Sequence, residues 1–262
     1  MKQLSFILKY LKYLISSKTA HGIHSPFVFE LYNQVIRKNN SYYSFEKIEQ
    51  LRQRLLYSQK EIEVTDLGTG TSGKRTLAQI AERSLKSEKY GQLLFRLANH
   101  LRPETILELG TSLGISTAYL ASAVPNAKII TIEGCPNISA EAKKNFESLG
   151  LKNIETVVGN FDTSLKQTID SILNTQYSIL DLVFFDGNHK MEPTLNYFNQ
   201  CLSQAHNDSL FIFDDIHWSD EMEEAWEEIK KSPKVTVTID LFFIGLVFFR
   251  KEQAKENFVI RY

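Results

Sequence analysis

The chain has 262 residues, 43% of them apolar and 23% charged, with a formal net charge of −1. That length buries a sizeable core and suits one large α/β domain or a domain with an extension, and the near-neutral charge removes any general attraction to nucleic acid or to an anionic membrane. Two cysteines, Cys135 and Cys201, make neither a disulfide framework nor a metal-ligand cluster; they fit a reducing cytosol, so a cytoplasmic location is expected.

Leu4, Ile7, Leu8, Leu11, Leu14 and Ile15 recur at helical spacing and predict an amphipathic first helix. Lys2, Lys9 and Lys12 interrupt it, so it is too short and too charged to span a bilayer, and no signal peptide is read there. It is expected to pack on the body or on a second subunit, which suits a homodimer; the alternative is a membrane-surface role, because its polar face carries lysines. AHGIHSPFVFELY reads as a connector whose Ser-Pro turn opens a helix over Phe27–Lys38, and further helices are expected over Tyr43–Gln59 and Lys89–Leu101. Residues 1–88 are therefore expected to form a helical N-terminal extension and residues 89–262 the main domain.

Asp66–Lys74, DLGTGTSGK, comes close to a phosphate-binding loop. Arg75 stands where that loop needs Ser or Thr for magnesium, and the sequence that follows reads as helical rather than as a strand ending in an acid. A structural or substrate-side loop is expected, with ligand-phosphate contact as the alternative.

From Pro103 the pattern becomes regular. Strands are predicted over Thr105–Leu109, Lys128–Ile132, Ile154–Val158, Leu180–Phe185, Ser209–Phe213, Val235–Asp240 and Gly245–Phe249. Helices over Ser116–Ala123, Ser139–Leu149, Phe161–Leu173, Met191–Ala205 and Asp220–Lys231 separate the first six. Alternation of this kind implies an α/β fold with a mostly parallel seven-stranded sheet covered on both faces. The last two strands are joined by too short a loop for a crossover, so they must form an antiparallel C-terminal hairpin.

The motifs sit at strand ends. In TILELGTSLGIST an apolar run carries Glu108 and leads into a turn with Gly110, Thr111, Ser112 and Gly114, then a helix starting near Ser116. Glycines let the backbone approach a polar, nucleoside-bearing cofactor closely, and the acid can fix its polar groups. Alone, E-x-G-x-x-x-G recurs in many strand-to-helix turns, so it needs partners. IITIEGCP supplies Glu133, an acid suited to two ribose hydroxyls, although a solvated strand-end acid is the plainer alternative. VVGNFD places Gly159, Asn160 and Phe161 after the third strand, where an adenine would be edged, unless Phe161 is simply core.

DLVFFDGNHK delivers Asp186, and FIFDDIHW delivers Asp214 and Asp215. Neighbouring strand ends lie about 5 Å apart, so these carboxylates should converge, and converging carboxylates repel unless a cation or proton neutralises them. Oxygen donors favour magnesium, calcium or manganese over zinc. The alternative is an Asp pair capping the next helix, although Ser219 and Asp220 are better caps.

With the motifs ILELGTSLGIST, TIEG, VVGNF, FFDGNH and IFDDIHW in this order, the chain resembles the class I S-adenosylmethionine-dependent methyltransferases over roughly residues 89–250. It is most similar to their cation-dependent, catechol O-methyltransferase-like branch, in particular the sugar and natural-product enzymes with a D-G-x-H motif. The resemblance implies a Rossmann-like methyltransferase sheet and S-adenosylmethionine held by Glu108, Gly110, Thr111, Ser112, Gly114, Ser116, Glu133, Gly159, Asn160, Phe161 and Asp186. It also implies a divalent cation, magnesium by expectation, on Asp186, Asp214 and Asp215. Catechol-type enzymes carry a lysine base three residues after the first metal Asp; this sequence has His189 there, as the D-G-x-H branch does, and a histidine suits a base near neutral pH. Asp186 is a further proton acceptor and His217 a second candidate base.

The expected reaction is cation-assisted methyl transfer to a hydroxyl of a small molecule, with no nucleic-acid partner and no transmembrane segment. Its rivals are a metal-independent methyltransferase acting on nitrogen or another acceptor, and a module that binds the cofactor without turnover. The acceptor is not legible; Phe27, Phe29, Tyr42, Tyr43 and Phe45 suit an apolar pocket and helix packing equally.

Overall fold

The computed structural model describes residues 2–65, 72–174 and 179–262. In chain order the elements are α1 (Lys2–Ser16), α2 (Pro26–Leu31), α3 (Tyr43–Leu56), β1 (Glu61–Val64), β2 (Gly73–Thr76), α4 (Leu77–Ser84) and α5 (Glu88–Leu101). There follow β3 (Thr105–Leu109), α6 (Ile115–Ala123), β4 (Lys128–Glu133), α7 (Pro136–Leu149), β5 (Ile154–Val158) and α8 (Phe161–Leu173). The chain ends with β6 (Leu182–Phe185), α9 (Met191–Leu202), β7 (Leu210–Asp214), α10 (Asp220–Lys231), β8 (Val237–Asp240), β9 (Ile244–Phe248) and β10 (Glu256–Val259). All seven expected strands are present, and β1, β2 and β10 come in addition. Among the described residues no helix is long and apolar enough to cross a membrane.

The chain divides into two compact units, Met1–Lys38 with Ile179–Tyr262, and Asn39–Ser178. Residues 1–88, read from sequence as one extension, are thus shared between both. In the unit Asn39–Ser178, β3, β4 and β5 pair in parallel, with Glu108 opposite Thr131 and Glu133 opposite Val158. All of β3 is buried, and so is every residue of α6 but Ser122. Burial on all sides explains why α6 carries no amphipathic signal. Helices α7 and α8 start cleanly, with Pro136 in the first turn of one and the Asn160 side chain capping the other.

The β1–β2 pair is antiparallel, with Val64 opposite Gly73, and it encloses the loop whose residues Asp66–Thr71 lie outside the described part. It docks against the start of α7. The Thr65 amide donates to Cys135 Sγ at 3.3 Å, Asn137 donates to the Glu63 carbonyl at 2.8 Å, and Lys60 pairs with Glu141 at 2.7 Å. Strand β2 takes up the end of the loop segment, from Gly73 to Thr76, and the helix expected after it begins at Leu77, where Thr76 and Gln79 form a reciprocal capping box.

In the other unit the strand order is β10-β8-β9-β7-β6, with β6 and β7 parallel and β9 antiparallel to both β7 and β8. The expected terminal hairpin is therefore β8–β9. The helix expected over Phe27–Lys38 is α2 continued by a π-helical turn, Tyr32–Ile36. Helix α1 packs through Phe6, Tyr10 and Tyr13 on the Phe242 ring, at centroid distances of 5.3, 4.8 and 5.3 Å. Its Tyr13 hydroxyl donates to the Ile260 carbonyl at 2.6 Å and accepts from the Tyr262 amide at 3.0 Å. Burial pushes that phenol's pKa up to about 12. The opposite face of α1, with Ile7, Leu8, Leu11 and Ile15, is exposed.

Candidate cofactor and metal sites

The first group of side chains lies in the unit Asn39–Ser178. Between β3 and α6 the backbone turns through positive φ at Gly110 (108°), Ser112 (46°) and Gly114 (83°). A Cβ on Gly114 would press into the Phe146 ring, so this position needs glycine for space as well as for conformation. Ser112 bears the strain of a left-handed non-glycine residue. Two contacts hold it there: its amide donates to Glu133 Oε2 at 2.9 Å, and its hydroxyl meets that of Ser84 at 2.6 Å. The other Glu133 oxygen accepts the Cys135 amide at 2.9 Å. A half-buried carboxylate with about four acceptor sites thus clips the loop after β3 to the loop after β4.

Glu108 behaves differently from expectation. It is fully buried and accepts hydrogen bonds from the hydroxyls of Ser116 (2.7 Å), Thr131 (2.7 Å) and Thr117. Thr131 lies opposite it in the β3–β4 register, so that contact follows from strand pairing. Thr131 gives its one proton to Glu108, so the 2.6 Å contact between Thr111 and Thr131 must have Thr111 as donor. Glu108, Thr111 and Ser116, read from sequence as cofactor contacts, form a hydrogen-bonded frame beneath the loop. What the loop leaves partly open is the backbone of Gly110 and Ser112 and the Glu133 carboxylate. After β5, the Gly159 amide donates to the Glu133 carbonyl at 2.9 Å, Asn160 caps α8, and Phe161 is half-buried at its first turn.

The second group lies in the other unit. The parallel register sets Phe185 opposite Phe213, with their rings stacked at 4.4 Å. The next residues, Asp186 and Asp214, therefore share the opposite face of the two strand ends. Gly187–Lys190 then turns back through Asn188 (φ 56°), whose side-chain Nδ2 donates to the Tyr197 hydroxyl at 3.0 Å, and this brings His189 to the same place. One donor atom each from Asp186, His189 and Asp214 lie within 4.8 Å of one another, with His189 Nε2 3.7 Å from Asp186 Oδ1. Asp214 is 1% exposed. Two carboxylates and an imidazole held this close are a donor set that a divalent cation fits.

Asp215 is outside that group of three. Its backbone is left-handed (φ 54°), with the amide donating to the Phe243 carbonyl at 2.7 Å and the carbonyl accepting from Trp218 at 2.9 Å. His217 sits between Glu223 and Asp240, at 2.7 and 2.8 Å, with its ring stacked on Phe242. Burial pulls its pKa down, but the two carboxylates outweigh burial and raise it. With both ring nitrogens engaged, His217 is a structural clamp rather than a base. Of the aromatics expected at an acceptor pocket, Phe27 meets Phe248 edge to face, and Tyr42 and Phe45 pack on Phe95; Phe29 and Tyr43 are exposed.

Residues 107–216 match the family model of a methyltransferase domain. The catechol O-methyltransferase of Niastella koreensis is 30% identical over 132 residues, 50% of this chain and 57% of that protein. That of Bos taurus is 34% identical over 102 residues, 38% of this chain and 36% of that protein. The chain thus spans about half the length of its bacterial relative, or less in the bovine case. Among solved structures, an SAH-bound methyltransferase of Podospora anserina superposes with a TM-score of 0.61 at 15% identity, covering 82% of this chain and 91% of that one. An O-methyltransferase from Bacillus cereus in complex with SAH gives 0.56 at 20% identity, covering 83% and 94%. The chain therefore has the Rossmann-like fold of these methyltransferases, matches a methyltransferase domain over residues 107–216, and is similar to the catechol O-methyltransferase-like branch of the class I S-adenosylmethionine-dependent methyltransferases.

Proposed function

We propose that this protein transfers a methyl group from S-adenosylmethionine to a hydroxyl of a small molecule, assisted by a divalent cation, in the cytoplasm. The observation that carries the reading is the pairing of two features within the matched domain: a glycine loop clipped by Glu133, and the cluster of Asp186, His189 and Asp214. When bound, S-adenosylmethionine brings an already activated methyl and the cation brings Lewis acidity toward the acceptor hydroxyl. The chain's own part is placement and charge. Gly110 and Ser112 offer backbone amides and close approach, Glu133 suits the ribose hydroxyls, and Gly159, Asn160 and Phe161 suit the edge of the base. Asp186 and Asp214 supply the negative charge that holds the cation, with magnesium or manganese as the ions for such donors. Asp186 and His189 are the candidates to receive the hydroxyl proton.

The test is thermal stability in the presence of S-adenosylhomocysteine, NAD or ATP, each with and without magnesium, followed by methyl transfer to a panel of hydroxylated small molecules. S-adenosylhomocysteine alone among the three is expected to stabilise, by about 2.7 kcal/mol at a hundredfold excess over its Kd. Stabilisation by NAD or ATP instead would overturn the cofactor assignment. Full transfer activity in EDTA would remove the cation and favour a metal-independent enzyme.

A further inference from the structure

Building on that reading of a cation site, we infer that His189 is itself a ligand of the cation and that Asp215 is not. The site is then a set of one nitrogen and two carboxylates, not three carboxylates. The separation of His189 Nε2 from Asp186 Oδ1, 3.7 Å, is too long for a hydrogen bond. It is the separation of two ligands each about 2.1–2.2 Å from one ion and subtending about 120° at it. Asp214, at the matching position of the neighbouring strand, brings the third donor inside the same 4.8 Å envelope.

The turn that carries His189 is built to hold it there. Asn188 takes the left-handed backbone that folds the chain back after Asp186, and its side chain is tied to Tyr197, a residue 2% exposed on α9. Asp215 is placed otherwise. The chain leaves β7 at Asp214, and Asp215 spends its amide and carbonyl on the Phe243 and Trp218 backbone, outside the donor group. An imidazole nitrogen changes which ion the site prefers. Mixed nitrogen and carboxylate donors suit manganese, iron(II), cobalt or zinc, whereas magnesium prefers oxygen throughout. A histidine engaged in this way is not the proton acceptor at the same time, so of the two candidates for that role Asp186, with its second carboxylate oxygen, remains.

The test uses the full-length chain, stripped with a chelator and titrated with Mn2+, with the bound ion read by pulsed electron paramagnetic resonance for nitrogen-14 modulation from an imidazole. The modulation is expected in the native protein and absent in His189→Ala, whose Mn2+ dissociation constant should rise by about tenfold or more. Asp215→Asn should keep both the modulation and the affinity, and Mg2+ should displace Mn2+ only in large excess. Thermal stabilisation by S-adenosylhomocysteine, measured on each variant, checks that it is folded. Mn2+ bound without nitrogen modulation, with affinity lost in Asp215→Asn and kept in His189→Ala, overturns the inference and leaves the cation site standing. No Mn2+ binding by a chain that still responds to S-adenosylhomocysteine removes the cation site and the inference together.

Discussion

Glu108 offers the sharpest test of how the loop after β3 is organised. Its carboxylate is fully buried and collects three hydroxyl protons, one on Oε1 from Ser116 and two on Oε2 from Thr117 and Thr131. In Glu108→Ala all three hydroxyls lose their acceptor and a cavity opens, which should cost about 3–5 kcal/mol. Glu108→Gln keeps the shape. Its amide nitrogen settles best toward Ser116, where it conflicts with one donor instead of two, so the loss is weaker charge assistance plus one bond to rearrange, about 1–2 kcal/mol. Urea denaturation measures both values, and S-adenosylhomocysteine titration measures binding. Affinity should fall in step with stability, because Thr111 is held through Thr131 and the helix start through Ser116 and Thr117. An alanine variant within about 1 kcal/mol of the native protein would refute the frame. So would a glutamine variant of native stability that no longer binds the ligand, since that pattern belongs to direct contact.

Two further outcomes follow from the same geometry. Gly114→Ala should cost about 2–4 kcal/mol, combining left-handed strain with a clash against Phe146, whereas Gly150→Ala, with φ 71° and open space around it, should cost only the strain, about 1–2 kcal/mol; thermal melts of the pair compare them directly. His217 has a raised pKa in the folded state, so its contribution to stability is fully present below about pH 6.5 and is lost as pH rises through the folded value. Urea midpoints against pH should therefore fall more steeply above that point in the native chain than in His217→Gln, and parallel curves for the two proteins would contradict the clamp.

Much of the architecture was legible because the signal lay in long runs. The strand over Thr105–Leu109 and the helices over Phe161–Leu173 and Asp220–Lys231 stand at the residues expected of them, since each combines a clear apolar pattern with a cap or a strand-end acid. What escaped notice was short, charged and half-exposed. EIEV and GKRT show no alternation of buried positions, and β1 and β2 are held by docking on Cys135, Asn137 and Glu141, contacts far away in sequence. Strand β10 was missed for the same reason, being an edge strand in which only Phe258 is buried. At the site, Asp186 and Asp214 were legible through register, because equal strands in parallel deliver equal ends. The different placement of Asp215 was not, because it depends on one left-handed residue.

Glu108, Glu133, Asp186 and Asp214 all stand at or near a strand end yet have different surroundings, and position along the strand explains the difference. Glu108 precedes the last residue of β3, so its side chain stays within the layer covered by α6 and is met there by hydroxyls from that helix and from β4. Glu133 is the last residue of β4 and accepts from the amides of the two turns beside it. Asp186 lies one residue beyond β6 and Asp214 is the last of β7, so their carboxylates come together with a histidine from the next turn. One residue of depth separates an acid enclosed by hydroxyls from acids gathered at the strand ends. The sequence carries the clue in its hydroxyls: Ser116, Thr117 and Thr131 are the groups a buried carboxylate needs. A strand-end acid with hydroxyls waiting for it in the flanking helix and the neighbouring strand is therefore better read as a frame than as a contact to the cofactor.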